Sequence, residues 1–95
     1  MAVYLDDSRI RWRGRQWSHL LADSTEELHA FAAGLGLRRA WLHTSPSRPW
    51  KDHYDIPEGM RQEAIEQGAR PITAREAVRI LRARRLTVAA EDWPT

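Results

Sequence analysis

The apolar positions of this chain fall into several short runs and one clear helical stripe. "AVYL" (Ala2 to Leu5) is compact, partly β-branched and partly aromatic, and predicts a first buried strand. "QWSHLLA" (Gln16 to Ala22) predicts a second. The connection Asp6 to Arg15 is long for a tight hairpin and slightly short for a helical crossover, so the two strands are expected antiparallel, joined by a broad loop. The next signal is helical. In "DSTEELHAFAAGLG", Ser24 is an N-cap with Glu27 three residues on, a capping box. Leu28, Phe31, Ala32 and Leu35 follow at i, i+3, i+4 and i+7 as one apolar stripe. Gly34 and Gly36 end the helix, one of them taking the left-handed conformation.

Beyond that helix, "RRAWLH" (Arg38 to His43) predicts a third strand, and the proline- and serine-rich "TSPSRPWKD" a loop. "HYDIPEGMRQEAIEQG" opens on a short extended piece and enters a helix at Pro57, which Gly68 ends. "ARPI" (Ala69 to Ile72) predicts a short strand. Thr73 with Glu76 repeats the capping box and starts a helix to about Arg85. Residues 86–95 form a loose tail or add an edge strand at Leu86 to Ala89. The expected fold is α/β or α+β, a small mixed sheet with about three helices in the order β-β-α-β-α-β-α, built by residues 1–95 as a single domain.

Composition narrows the chemistry. Hydrophobic residues at 42% and charged residues at 29% are ordinary globular values. There is no cysteine, which excludes disulfides and thiolate metal sites and leaves His, Asp and Glu as the metal ligands. "MAVYL" has neither the basic region nor the apolar length of a signal peptide, and no run reaches the roughly 20 apolar residues that span a bilayer. No membrane association and a cytoplasmic location are the default expectations. Net charge is only +2, yet Lys51 is the sole lysine and every other basic side chain is an arginine, a planar fork suited to phosphate and carboxylate. A coding bias toward Arg and Ala accounts for much of this. The distribution is less bland: Arg70, Arg75, Arg79, Arg82, Arg84 and Arg85 face a single acid, Glu76, between Ala69 and Arg85.

On the third helix, Ala74, Ala77, Val78 and Leu81 gather on a core-facing side. Arg75, Arg79 and Arg82 gather on a neighbouring one, within about 60° of each other. Such a stripe suits a phosphate backbone, and equally a solvated face whose cations complement the helix C-terminus. In "SRIRWRGRQW", an extended conformation puts Arg9, Arg11, Arg13 and Arg15 on one face and Ile10 and Trp12 on the other. Indole on bases with arginine on phosphates is the chemistry of single-strand binding. The same segment also reads as a flap framing a site, with Trp12 and Trp17 anchoring it.

"HYD" puts His53 and Asp55 on one side of an extended segment, as a metal pair, an oriented acid–base pair, or a carboxylate that merely caps the following helix. His19 alternates with Trp17, Leu21 and Asp23, while His29 borders the first helix's stripe; both also read as boundary histidines bonded to neighbours. His43 has no distinctive partner in the sequence. Asp6 and Asp7 follow the first strand, as site residues or as turn formers. A cluster of Asp6, His19, His53 and Asp55 is compatible with this order without being forced by it. No phosphate-cradling glycine loop, HExxH or nucleophile-elbow serine is present.

Taken in order, "MAVYLDD", "WSHLLAD", "EELHAFAAGLGL", "HYDI", "RQEAIEQGA" and "ITAREA" resemble a small family of bacteria and their phages known as domain of unknown function 4031. The resemblance runs from Met1 to about Leu81 and implies that Asp6, His19, Asp23, His29, His53, Asp55 and Arg61 are family features. It implies no particular activity.

Three functions follow as expectations. The first is binding of a phosphate-bearing ligand, nucleotide or nucleic acid, with Arg11, Arg13, Arg61, Arg75, Arg79 and Arg82 supplying charge and Asp6, His19, His29, His53 and Asp55 in or beside the pocket. The second is a metal-dependent phosphoester hydrolase in which Asp6, His19, His53 and Asp55 hold a divalent cation, the one cofactor the residues suggest, with water as nucleophile. The third is a protein-interaction module exposing some of the five tryptophans. Whether the protein is an enzyme, and its oligomeric state, stay open at this stage.

Overall fold

A computed structural model describes residues 2–91 of the chain. Its elements are β1 (Val3–Leu5), β2 (Ile10–Trp12), β3 (Arg15–Ala22), α1 (Thr25–Gly34), β4 (Tyr54–Pro57), α2 (Arg61–Glu66), β5 (Arg70–Pro71) and α3 (Ala74–Glu91), with 3₁₀ turns at Arg39–Trp41, Pro49–Lys51 and Glu58–Met60. This is the expected mixed sheet with three α-helices, an α+β fold. Among the described residues no helix is long and apolar enough to cross a membrane.

Strand β3 organises the sheet. It pairs antiparallel with β1 (Tyr4 opposite Leu21) and with β2 (Ile10 opposite Trp17). Its other edge pairs antiparallel with β4, His19 standing opposite Asp55 and Leu20 opposite Tyr54. β5 adds to β1 in parallel. The step from Leu5 to Ile10 is five residues, while that between their partners Leu20 and Trp17 is three, so the β1–β2 side carries two extra residues and bulges. The expected broad loop is thus an interrupted strand. It turns at Arg13 (φ 49°) and Gly14 (φ 73°), two successive positive φ angles that mark the type I′ hairpin. Because Arg9 (φ 43°) and Arg13 leave the extended region, the four arginines do not share one face.

Pairing and alternation fix what each face holds. Val3, Leu5, Leu20, Ala22, Tyr54 and Ile56 point to one side and pack with Leu28, Ala32 and Leu35 of the α1 stripe and with Ala64 of α2. Ser24 caps α1: its hydroxyl accepts from the Glu27 amide at 3.2 Å. At the other end Gly36 (φ 80°) takes the left-handed position, and the Leu37 amide closes on the Ala32 carbonyl at 3.0 Å. The opposite face carries Tyr4, Trp17, His19, Leu21 and Asp55.

Four further expectations are corrected. Arg38 to His43 is not a strand: it holds the 3₁₀ turn Arg39–Trp41, and only His43 makes an isolated bridge, with His53. The sheet's remaining edge at β3 is taken by Tyr54–Pro57, where Tyr54 and Ile56 bring apolar side chains to the core face. The helix expected from Pro57 begins at Arg61, after a 3₁₀ turn. Leu86 to Ala89 are not an edge strand, since α3 runs through to Glu91; residues 92–95 of the tail lie outside the described residues. Finally, α3 buries Ala77 and Arg84 while Val78 is 49% exposed, so its inward side is rotated from the one the periodicity suggests. With that rotation Arg84 donates to the Thr25 hydroxyl at 2.9 Å, and Arg85 lies over the Trp50 ring at 5.0 Å.

Replacing Ser24 with Ala removes the α1 cap and should cost about 1 kcal/mol, whereas Leu28→Ala empties a fully buried core position and should cost about 2–5 kcal/mol. Urea unfolding of the two variants measures both, and the order should not invert.

Candidate metal centre

The bulge between β1 and β2 leaves an opening in the backbone ladder, and the buried Asp6 side chain fills it. One carboxylate oxygen accepts from the amides of His19 (2.9 Å) and Ser8 (3.1 Å) and from the Ser8 hydroxyl (2.7 Å). The other accepts from Nδ1 of His19 at 2.8 Å. Burial alone pushes this carboxyl up, but the hydrogen bonds from His19 and Ser8 outweigh it and hold Asp6 far below the usual carboxylate range. His19 is shifted the other way: its bond to Asp6 raises its pKa against the opposing effect of burial. With Nδ1 committed to Asp6, Nε2 of His19 is the ring nitrogen left for another partner.

Arg61 supports the bulge from the core side. Buried itself, it donates to the Asp6 carbonyl at 2.6 Å and to the Ser18 hydroxyl at 3.1 Å. It braces the backbone that carries Asp6 and does not line the face where His19 points.

His53 reaches the same face from the neighbouring edge. It sits one residue before β4, two before Asp55, and alternation puts the pair on one side, as their spacing predicts. Its ring lies edge-on to His19, centroids 4.9 Å apart, and Nδ1 donates to the Lys51 carbonyl at 2.8 Å. Burial, first of all, lowers its pKa, so His53 is held neutral, the form in which imidazole binds a cation. Asp55 stands opposite His19 in the ladder. Its Oδ1 is 3.6 Å from His53 Nε2, longer than a hydrogen bond. That gap is close to the roughly 3.4 Å between two ligands that share a tetrahedral ion at 2.0–2.1 Å.

One ligand atom each from His19, His53 and Asp55 therefore lies within 4.8 Å of the others. Every member is held by an outer partner: His19 by Asp6, His53 by the Lys51 carbonyl, and Asp55 by His43, whose Nε2 lies 2.9 Å from Oδ2. Such second contacts fix the tautomer and direction of each ligand before an ion arrives.

The structure thus places the sequence candidates differently from one another. His19, His53 and Asp55 converge. Asp6 stands behind His19, orienting it, and is not among the three converging groups. His43, unremarkable in the sequence, belongs to the cluster: the bridge to His53 stacks their rings at 5.1 Å. No local pattern pointed to it, because its partners lie in β4 and in the residue just before that strand. His29 lies across the sheet on the α1 side, bonded at 2.8 Å to the Tyr54 hydroxyl, outside this cluster. Asp23 closes the far end of β1, accepting from the Ala2 amide and the Tyr4 hydroxyl. Asp7 accepts from the Ala74 amide at 2.8 Å, at the start of α3.

Among the arginines, Arg11 is exposed on β2, and Arg13 lies 4.5 Å over the Trp12 ring. Arg75 and Arg79 are exposed on α3. Arg82 alone of that stripe lines a groove of about 630 Å³ between α3 and the Pro49–Lys51 turn, where it joins Arg48, Lys51 and Arg85. Neither Arg48 nor Lys51 was among the phosphate-binding candidates of the sequence; the turn brings them beside the helix. Lys51 also lines the small cavity over His19 and His53 that Ala77 and Leu81 cover, so groove and cluster adjoin.

Fold and site together define a small α+β domain with a two-histidine, one-carboxylate cluster on the sheet face that α3 partly covers. The chain belongs to the family described as "Protein of unknown function (DUF4031)", whose model matches residues 3–84. Neither the curated proteins nor the solved structures return a match to it.

With chelator present, Asp6→Asn should bring the His19 pKa down and cost about 2 kcal/mol of stability. The raised His19 value contributes stability that is complete below the unfolded histidine pKa and lost as pH rises through the folded one. The lowered Asp6 value contributes stability that is complete above the unfolded aspartate pKa and lost as pH falls through the folded one. The deficit should therefore be largest between about pH 4 and 6.5. Imidazole titration by NMR and urea unfolding across pH check both halves; an unmoved His19 titration would sink the assignment.

Proposed function

We propose that the protein is a divalent-metal-dependent phosphoester hydrolase whose ion is held by His19, His53 and Asp55. The observation that carries this is the convergence of three pre-oriented ligand atoms within 4.8 Å, two of them on imidazoles whose Nδ1 is already spent. Two histidines and one carboxylate leave open coordination positions, the arrangement of catalytic rather than structural sites. A divalent cation supplies charge for a phosphoryl oxygen and acidifies a water molecule. Around it, His43 aligns Asp55, Asp6 keeps His19 in its tautomer, and Lys51 stands between the cluster and the cationic groove. Phosphate is the favoured group because Arg48, Lys51, Arg82 and Arg85 line the adjoining groove.

That groove also favours a second reading, recognition of a phosphate-bearing ligand without bond cleavage. Product formation separates the two.

Mn²⁺ or Zn²⁺ at 100 times its dissociation constant should stabilise the fold by about 2.7 kcal/mol. His53→Ala should abolish that rise, and Asp6→Asn should weaken metal affinity by about 10–100-fold. Thermal unfolding and calorimetric titration read these effects, with release of nitrophenol from a bis(nitrophenyl) phosphate as the activity assay. A flat thermal response across Mg²⁺, Mn²⁺, Co²⁺, Ni²⁺ and Zn²⁺ rejects the metal centre. Metal binding without turnover leaves the second reading.

A further inference from the structure

Another cavity, of about 550 Å³, opens beside the cluster, lined by Trp12, Trp17 and Trp41 together with Leu37, Pro57 and Met60. We propose that it is the base-binding subsite for a single-stranded nucleic acid whose backbone crosses the metal cluster; the inference rests on the phosphoester reading above.

The tryptophans come from three separate segments. Trp12 and Trp17 face each other across the β2–β3 hairpin, ring centroids 6.0 Å apart and edge-on, with the Trp17 indole N–H donating to the Trp12 carbonyl at 3.0 Å. Trp41 arrives on the Arg39–Trp41 turn. Trp17 is half-buried and anchors the wall, while Trp12 and Trp41 are 56% and 52% exposed, so indole surface is offered to solvent. Burying two such rings against the core would be worth more to stability than this arrangement, and their exposure is accounted for by a ligand with a flat apolar face. A nucleobase supplies one, and stacking on indole tolerates any base.

The occupant must also carry negative charge. Arg13 lies over Trp12 and Arg38 over Trp41, at 4.5 and 5.8 Å, so both exposed rings carry a guanidinium. Arg15 lines the cavity itself. His43 and Asp55 of the cluster form its inner edge. From His43 a shallow cavity of about 170 Å³ continues past Ser45 to Arg48 and Lys51, which line the cationic groove. Aromatic cavity, metal cluster and cationic groove are therefore contiguous through shared residues. A chain with a base in the first, a phosphodiester at the second and further phosphates along the third fits that sequence of surfaces. A mononucleotide fills only part of it.

The test is anisotropy of a labelled short oligothymidylate in chelator, alongside Mn²⁺ titration of the same proteins. Trp41→Ala should weaken oligonucleotide binding about tenfold and Trp41→Phe much less, while both bind Mn²⁺ as the wild type does. An abasic oligomer of equal charge should also lose about tenfold, which tests the subsite without any variant. Affinity should fall steeply with salt, and less steeply in Arg82→Ala. Equal binding of the abasic and the normal oligomer, or no binding of either, overturns the subsite. A mononucleotide bound as tightly as the oligomer overturns the single-strand assignment. Failure of the wild type to bind any of Mg²⁺, Mn²⁺, Co²⁺, Ni²⁺ and Zn²⁺ is a separate result and rejects the metal centre on which the inference rests.

Discussion

The Asp6 carboxylate occupies the place where β1 leaves the ladder and β2 has not yet joined it, and it replaces missing strand partners with four hydrogen bonds. A buried carboxylate is tolerated only when its oxygens are satisfied. Satisfying this one with the His19 amide and the His19 ring makes the bulge and the imidazole orientation a single feature. If the two extra residues were removed, β1 and β2 would run on as one regular strand, and the side chain at position 6 would have no opening to fill. Arg61 closes the arrangement from the core by taking the Asp6 carbonyl that the bulge leaves exposed.

From that point the sheet distributes the chemistry. Pairing of β3 with β4 sets Asp55 opposite His19, and the period of two puts His53 beside both. The core face and the site face are the two sides of the same strands. Leu20, Tyr54 and Ile56, which hold β3 and β4 against α1, fix the relative height of His19 and Asp55. Precision at the cluster comes from strands whose far side is buried against α1 and whose near side is partly covered by α3, while the cationic residues sit on a turn and on the outer part of that helix. The family match covers nearly all of this framework, residues 3–84, including every residue of the cluster and of the cationic groove except Arg85.

Electrostatics within the cluster are already divided before any ion is considered. His19 is pushed toward its charged form by a carboxylate, and His53 is kept neutral first of all by burial. Two adjacent imidazoles of opposite tendency avoid the repulsion that two cations 4.9 Å apart would meet. His43, the most exposed of the three, engages the outer oxygen of Asp55 and leaves the inner one facing His53.

Much of the fold was legible in the chain because it rests on local rules. The α1 stripe and its Ser24 cap, the Thr73–Glu76 box, the glycine stop at Gly36 and the two strands flanking Asp6 to Arg15 all follow from spacing that a few neighbouring residues enforce. The pairing of His53 with Asp55 was legible for the same reason. Tertiary structure alone decided the rest. Arg38 to His43 has strand composition, yet Tyr54–Pro57 takes the open edge of β3, and no local pattern records that competition. His43 joins the site, and His29 is excluded from it, according to which face of the sheet each reaches. Arg48 and Lys51 become a groove with Arg82 and Arg85 because a turn docks on a helix distant in sequence. Residue types and their periodicity settle which elements form. Which elements meet depends on long-range burial and edge pairing, and the histidine cluster lies at such a meeting.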